Sequence, residues 1–208
     1  APDGYVEMSE SFYFRMDERG DIVPVELVNG QPQDTEELPE GWSVNEDSVQ
    51  LRAENDPVKL QITKVGPDDK LLEDAVFSVK PIKGSKLANG EPEIKMTTGK
   101  NGVATSTAEL IVGNTYDITE TSAPEGYEKV SGTMRITVDG DGSIRVLGSV
   151  LDDGTVNQQP PDGYERVDSD NDGTPDNAFE VRVKNNPVEI SLVKLDADNT
   201  DIKLAGGV

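Results

Sequence analysis

The sequence TYDITETSAPEGY, at residues 115–127, combines a strand pattern with a tight turn. Tyr116, Ile118 and Glu120 alternate with polar neighbours and therefore share one side of a predicted β-strand. The proline and glycine that follow predict a turn. The pattern recurs in VKLQITKV, AVFSVKPI, TMRITVD, SIRVLG and FEVRVKN, which are separated by PDD, LANGE, GKNG and DGDG. With no sustained helical period, the chain is predicted to be all-β, with short antiparallel strands forming a β-sandwich.

The same turn opens the chain, which indicates an internal repeat. APDGY at the start recurs as APEGY, and residues 1–42 align with residues 123–164 without a gap. A second match pairs LRAENDPVKLQITKVG at residues 51–66 with VRVKNNPVEISLVKLD at residues 181–196. The offset grows between the two matches, so the later copy carries an insertion that contains VDSDNDGTPD.

The repeat predicts tandem modules. Residues 1–56 are interpreted as the C-terminal half of one module, residues 57–186 as a complete module, and residues 187–208 as the first strand of the next. We expect the chain to be a window on a longer protein. The half-modules would be completed in cis, or in trans by strand addition from a neighbouring molecule.

Composition excludes several functional classes. The chain has 208 residues with 41 acidic against 19 basic side chains, a net charge of −22. This charge disfavours nucleic acid and anionic membrane surfaces as partners. Because cysteine and histidine are absent, disulfides and Ser-His-Asp or Cys-His catalysis are excluded. No membrane-length apolar run, signal peptide or wall-sorting tail is present, which leaves a cytoplasmic chain or an internal piece of a longer one.

Three motifs in order resemble a known family. LVKLDADNTDIKLAGGV and, more loosely, ITKVGPDDKLLEDAVF resemble an opening strand and turn. YDITETSAPEGY resembles a late strand and turn, and VKNNP a final strand ending in Asn. These are features of the Cna B-type (SpaA-like, prealbumin-like) repeat domain of Gram-positive adhesins and pilins. The resemblance implies tandem Ig-like/prealbumin-like β-sandwich modules in an extracellular, cell-wall-attached surface protein or fibre of a Gram-positive-type bacterium.

Many members of that family form a spontaneous isopeptide bond. The resemblance assigns the amine to Lys64, the amide to Asn185 and the promoting carboxyl group to Glu120. Burial disfavours the charged amine, and a neutral amine held beside an amide can attack it while ammonia leaves. The alternative is that the three side chains form only a buried salt bridge and hydrogen bonds.

The repeat extends this assignment to the incomplete modules. Asn55 aligns with Asn185 and Lys194 with Lys64, so Asn55 and Lys194 are possible partners of segments outside this chain. Asn186 is a weaker candidate for the amide, because alternation along the last strand places Asn185 on the inward face.

The insertion carries a candidate calcium site. Its carboxylates fall at positions 1, 3, 5 and 9 of a loop whose sixth residue is glycine, and a backbone carbonyl at position 7 could also bind. The predicted ligands are Asp168, Asp170, Asp172, Thr174 and Asp176. The segment resembles the loops of EF-hand-like and thrombospondin type 3 repeats. The alternative is a solvated acidic loop.

Two main functions follow. The first is a non-enzymatic stalk or shaft repeat, whose partners are adjacent modules and, through self-association, other chains of a fibre. The second is a calcium-dependent adhesin module that binds a host protein or carbohydrate. A carboxylate-based hydrolase is a third, weaker hypothesis. Trp42 and Tyr164 occupy matching positions after P-x-G and are expected to anchor turns, with a sugar platform as the alternative.

Overall fold

The structure, a computed structural model, describes residues 1–8, 10–44, 51–165, 180–189 and 193–194. The regular secondary structure of these residues is almost entirely β-strand, as the alternating pattern predicts, with one short 3₁₀ turn at Pro67–Asp69. The strands are β1 (Tyr13–Met16), β2 (Ile22–Val28), β3 (Gln31–Asp34), β4 (Trp42–Val44), β5 (Leu51–Ala53), β6 (Lys59–Val65), β7 (Val76–Pro81), β8 (Ile94–Thr97), β9 (Val103–Thr107), β10 (Thr115–Ser122), β11 (Met134–Val138), β12 (Ile144–Val150), β13 (Val156–Asn157), β14 (Tyr164–Glu165) and β15 (Glu180–Lys184). Within the described ranges, no helix is long and apolar enough to cross a membrane.

Strands β6 to β15 form a sandwich of two sheets. One sheet has six strands in the order β13-β12-β11-β10-β7-β8, and the other has four in the order β14-β15-β6-β9. Neighbouring strands are antiparallel, as predicted, except that β15 runs parallel to β6. The parallel pair arises because the first and last strands of the sandwich lie side by side in the same direction, with the intervening chain as the crossover.

The core lies between these two sheets. Most apolar side chains on the inward faces of the strands are buried, which is the reason the alternating pattern holds the fold together. Burying each large side chain contributes roughly 1.5–3 kcal/mol before conformational entropy is counted. The principal core residues are Leu60, Ile62, Phe77, Val79, Leu110, Tyr116, Ile118, Met134, Ile136, Val181 and Val183.

The first 56 residues contain two smaller sheets, β1-β2-β3 and β4-β5. Their turns repeat hydrogen bonds of the sandwich. The N–H of Gly20 donates to the carbonyl of Asp17 at 3.0 Å, as the N–H of Gly142 does to Asp139. The pairing of β1 with β2 has the same register as that of β11 with β12 next to the turn: Phe14↔Pro24 and Met16↔Ile22 match Ile136↔Val146 and Val138↔Ile144.

The two regions meet at the first turn of the chain. The N–H of Val6 donates to the carbonyl of Asp56, and the N–H of Val58 to that of Gly4, both at 2.8 Å. Gly4 has φ +90°, and a Cβ there would lie 2.0 Å from the carbonyl oxygen of Ala108. Only glycine fits this position, so backbone of one region lies directly against backbone of the other.

Candidate cross-linking site

Strand β6 carries Lys64 into the core. Leu60, Ile62 and Lys64 share the inward face of the strand, since they are two residues apart. The lysine side chain is fully buried, with 0% exposure. An inward lysine in an otherwise apolar stripe is costly unless its amine has partners.

Asn185 follows the last residue of β15 and is 1% exposed. The parallel pairing places Val183 opposite Lys64, and the N–H of Asn185 extends the pairing by donating to the carbonyl of Val65 at 2.9 Å. Two residues distant in sequence are thereby held side by side on one sheet. Asn186, the next residue, is exposed.

Glu120 reaches the same point from the opposite sheet. It follows Tyr116 and Ile118 on the inward face of β10 and is 0% exposed. Its position brings a carboxyl group across the sandwich to the pair formed by Lys64 and Asn185.

The structure brings the three predicted side chains into contact. Nζ of Lys64 donates to the carbonyl of Val183 at 2.9 Å and to Oδ1 of Asn185. Nδ2 of Asn185 donates to Oε1 of Glu120 at 3.2 Å. The same carboxyl oxygen lies 3.7 Å from Nζ of Lys64. One oxygen of Glu120 is thus within reach of both nitrogen atoms.

This arrangement suits proton transfer between the two nitrogens. Burial lowers the pKa of Lys64 to about 8, against an opposing effect of the nearby Glu120 charge. In roughly a tenth of the molecules the Lys64 amine is therefore neutral at pH 7. The amide oxygen faces the amine, while the amide nitrogen faces the carboxyl group. The carboxyl group can accept a proton from one nitrogen and deliver it to the other.

Two further contacts hold Glu120, one at its carboxyl group and one at its backbone N–H, and local sequence patterns did not predict them. The N–H of Val130 donates to Oε2 of Glu120 at 2.7 Å. The N–H of Glu120 donates to the hydroxyl of Tyr164 at 3.0 Å. Tyr164 is 3% exposed, and burial raises its pKa to about 12. In the sequence, the position of Tyr164 after P-x-G indicates that its ring anchors a turn, but not that its hydroxyl contacts Glu120.

Gly66, two residues after Lys64, lies against the ring of Tyr127. A Cβ on Gly66 would lie 3.0 Å from Cε1 of the Tyr127 ring and 3.4 Å from Leu72. The ring of the APEGY turn therefore occupies the space that a side chain would need.

The remaining predicted residues lie elsewhere. Nδ2 of Asn55 donates to the carbonyl of Val6 at 2.8 Å, and Lys194 is exposed. The calcium ligands Asp168, Asp170, Asp172, Thr174 and Asp176 lie outside the described residues. Within the described ranges, no cluster of three or more acidic side chains has the geometry of a metal site.

Sequence comparison matches one segment of the chain to a known family. Residues 58–149 match the family model of the SpaA prealbumin-like fold domain, which confirms the resemblance for that segment. The matched segment begins at the first strand of the sandwich and ends in β12. No curated protein matches the chain.

Solved structures of surface proteins align with the chain at low identity. The C-terminal fragment of the pilus adhesin SpaC from Lactobacillus rhamnosus GG aligns with a TM-score of 0.46 and 18% identity, over 93% of this chain and 75% of that one. The open conformation of SpaC aligns with a TM-score of 0.44 and 21% identity, over 93% of this chain and 24% of that one. The full-length major pilin SpaD from Corynebacterium diphtheriae aligns with a TM-score of 0.36 and 14% identity, over 62% of this chain and 30% of that one. The chain thus spans about a quarter of the longer SpaC structure.

Proposed function

We propose that this chain is a non-enzymatic shaft segment of an extracellular, wall-attached fibre or adhesin, whose complete module is closed by a Lys64–Asn185 isopeptide bond. The observation that carries the proposal is the buried contact of Lys64, Glu120 and Asn185, fully enclosed between two sheets. The family of residues 58–149 supports the surface role.

The bond forms by exchange of one amide for another. Nζ of neutral Lys64 attacks the side-chain carbonyl carbon of Asn185, and a new C–N bond replaces the bond to Nδ2. Glu120 transfers the proton released by Nζ to the departing nitrogen, which leaves as ammonia. No oxidant or cofactor is needed, and Glu120 returns to its starting protonation state. Holding the groups in contact provides the effective concentration that an unreactive amide requires.

The position of the bond suits a chain under tension. It joins β6 to the end of β15, so force applied to the chain on either side would pass through a covalent bond rather than through the sheets. Lys64 and Asn185 are 121 positions apart. Closing a loop of this length lowers the entropy of the unfolded chain and stabilises the module by about 4–5 kcal/mol.

Single-molecule pulling from the two ends tests this role. We expect the wild-type sandwich to resist extension, because the segment between Lys64 and Asn185 is bypassed by the bond. In Lys64→Ala the same segment would unfold and extend by about 400 Å. The proposal is wrong if wild type and Lys64→Ala release the same length.

The repeat also suggests the cross-linking residues of the incomplete modules. We propose Asn55 as the amide and Lys194 as the amine of neighbouring modules, each with partners outside this sequence. Asn55 is half-buried, and its side-chain amide donates to the backbone carbonyl of Val6, which supports a side chain that is held in place beside the position of a partner.

We propose that the acidic insertion binds Ca²⁺ through Asp168, Asp170, Asp172, Asp176 and the Thr174 carbonyl. The support is the spacing of four carboxylates in the sequence. Calorimetric titration of the full chain with Ca²⁺ tests this site. Heat of binding that disappears in Asp170→Asn supports it, with Asp141→Asn as a control outside the loop. Equal binding by both variants would contradict it.

A further inference from the structure

A turn beside the last strand contacts both β10, which carries the carboxyl group, and β15, which leads to the amide. The sequence PDGY forms this turn, and we refer to residues 161–164 as the PDGY turn. The N–H of Tyr164 closes it by donating to the carbonyl of Pro161 at 3.0 Å, and Tyr164 then pairs with Val183 of β15. The turn thus has a fixed place beside the cross-linking site.

The Tyr164 hydroxyl takes the place of a strand partner for Glu120. Strand β11 pairs with β10 up to Ile118↔Met134, which is two residues before Glu120. The N–H of Glu120 donates at 3.0 Å to the hydroxyl of Tyr164, which reaches across the core from the other sheet. Both residues are buried, so this N–H would have no acceptor if the hydroxyl were removed.

The carboxyl end of Glu120 is held beside the same turn. The N–H of Val130 donates to Oε2 of Glu120 at 2.7 Å. The Val130 side chain lies against the turn, since a Cβ on Gly163 would be 3.1 Å from its Cγ2. With Oε2 bound in this way, Oε1 faces the nitrogen atoms of Asn185 and Lys64. The Glu120 side chain is therefore held at its backbone and at one carboxyl oxygen.

Gly163 connects the turn to β15. The N–H of Lys184 donates to the carbonyl of Gly163 at 2.7 Å, one residue before the reacting Asn185. Gly163 has φ +85°, and a Cβ there would lie 2.8 Å from the carbonyl oxygen of Lys184. Only glycine permits so close an approach in this conformation. One turn thus positions the amide through β15 and the carboxyl group through Tyr164.

The corresponding turn of the first region docks on its strand in the same way. The N–H of Glu54 donates to the carbonyl of Gly41 at 2.8 Å. In the part of the chain that the structure describes, the adjacent Asn55 has no hydrogen bond to a lysine or a carboxyl group. Docking of the turn therefore does not require a cross-linking site and can precede the reaction. The aromatic residue differs, because the Trp42 indole only donates, whereas the Tyr164 hydroxyl can accept an N–H.

Given the proposed isopeptide bond, on which this inference rests, we propose that the PDGY turn is a positioning element of the Lys64–Asn185 reaction. The Tyr164 hydroxyl fixes Glu120 before the bond forms, and Gly163 fixes the strand that carries the amide. Tyr164 acts through Glu120, which passes the proton from Nζ of Lys64 to the departing Nδ2 of Asn185. Displacing a catalytic group by about 1 Å can slow a reaction on the order of 10²-fold.

Time-resolved intact mass of the full chain tests the proposal. The chain is made by cell-free translation, and samples are quenched in acid and denaturant at intervals. Growth of the species that is lighter by one ammonia gives the rate of bond formation. We expect Tyr164→Phe to lower this rate roughly ten- to a hundredfold, because the N–H of Glu120 loses its acceptor and the carboxyl group shifts.

Tyr116→Phe is the matched control. The Tyr116 hydroxyl also belongs to a buried side chain and accepts one backbone N–H, that of Ile111 at 2.9 Å. It donates to the carbonyl of Lys86 at 2.8 Å, so these contacts involve neither Glu120 nor the amide. We expect Tyr116→Phe to lose stability and yet form the bond at close to the wild-type rate. Trimethylamine N-oxide, which favours the folded state, should not restore the rate of Tyr164→Phe.

Amide exchange in Asn185→Ala, which cannot react, reads the hold on Glu120 without the Tyr164 variant. We expect the N–H groups of Glu120 and Val130 to exchange as slowly as those of the core strand β6. Exchange at the rate of exposed loops would overturn the proposal, since Glu120 would then not be fixed before the bond forms.

Equal slowing in Tyr164→Phe and Tyr116→Phe, or a Tyr164→Phe rate equal to that of wild type, would overturn the positioning role and leave the proposed function intact. Recovery of the Tyr164→Phe rate in the osmolyte would also overturn it, by showing that the hydroxyl only stabilises the fold. A wild type of full sequence mass would instead defeat the proposed function, and the positioning role with it. The two failures are therefore distinguishable.

Discussion

The segments that begin at Ala1 and at Ala123 share their turns but not their burial. In both, a proline–glycine turn is followed by a hairpin and then by a second turn that carries an aromatic residue, Trp42 or Tyr164. In the part of the chain that the structure describes, only the later segment is covered, by β6, β7 and β10. The comparison teaches that turns and register are encoded locally, whereas a core and a reactive site need strands from the other half of a module.

Asn55 and Asn185 show the chemical consequence of that difference. The two residues align in the repeat, yet among the residues that the structure describes only Asn185 contacts a lysine amine and a carboxyl group. Asn55 bonds to the backbone of Val6. The reactivity proposed for Asn185 is therefore a property of its surroundings and not of the motif in which it lies.

The largest expected difference in the free energy of unfolding is between Asn185→Ala and Asn55→Ala. Asn185→Ala would remove the proposed bond and lower the free energy of unfolding by about 4–5 kcal/mol, because the long loop is no longer closed. Asn55→Ala removes one hydrogen bond and would cost about 1 kcal/mol. Denaturant unfolding followed by circular dichroism measures both, and equal losses would contradict the comparison.

Truncation of the matching hairpin residues is expected to give the next largest contrast. Ile136→Ala would destabilise the sandwich by about 2–5 kcal/mol, since it leaves a cavity in the core. Phe14→Ala would cost about 1 kcal/mol or less, because the ring is half exposed. Thermal melts of the two variants compare them. A larger loss for Phe14→Ala than for Ile136→Ala would contradict the comparison, since it would show that the Phe14 ring is buried.

The free energy of unfolding of Asn185→Ala is expected to depend on pH, because Lys64 keeps a free amine in this variant. Lys64 has a folded pKa of about 8, below the ordinary lysine value of 10.5, so above pH 8 the unfolded chain binds more protons than the folded one. The free energy of unfolding should therefore rise with pH, by about 2–3 kcal/mol between pH 8 and 10. Above pH 10 the buried Tyr116 and Tyr164, with pKa raised to about 12, would have the opposite effect.

Adding Lys64→Met to Asn185→Ala serves as the control for this titration. The double variant has no amine at this position, so its stability should be flat over the same range. Urea unfolding at a series of pH values measures both proteins. A rise of the same size in the double variant would assign the effect to other groups.

The smallest expected contrast concerns the two aromatic anchors. Tyr164→Phe would leave the buried N–H of Glu120 without its acceptor, at a cost of about 1–3 kcal/mol. Trp42→Phe would remove a donor that already has no acceptor in the described residues, and stability should change by less than about 1 kcal/mol. Chemical unfolding of both variants measures this, and a reversed order would contradict it.

The inward positions of the site could be predicted from the sequence because they follow strand parity. Glu120 is two residues beyond Ile118, and Asn185 is two residues beyond Val183, so alternation alone places both inward. Alternation does not predict that these side chains contact one another and Lys64. That contact depends on the parallel pairing of β15 with β6, which no local pattern encodes, and the family resemblance was needed to connect them.

Other features could not be predicted from local patterns for physical reasons. Strand β9 reads VATST, and its inward Ser106 is buried and donates to Glu109 at 2.9 Å, a contact that hydrophobic alternation does not reveal. Tyr164 stands in a two-residue strand after a turn, where no periodicity indicates what its hydroxyl contacts. The module boundaries and the calcium site stay predictions.

Intact mass under denaturing conditions tests the central claim most directly. The account predicts that wild type is lighter than its sequence by one ammonia and that Glu120→Ala has the full sequence mass, with Glu109→Ala as a control that keeps the deficit. Fragmentation should locate the modification on linked peptides that contain Lys64 and Asn185. The full sequence mass in wild type would contradict the account, since the buried contact would then hold the module without a covalent bond.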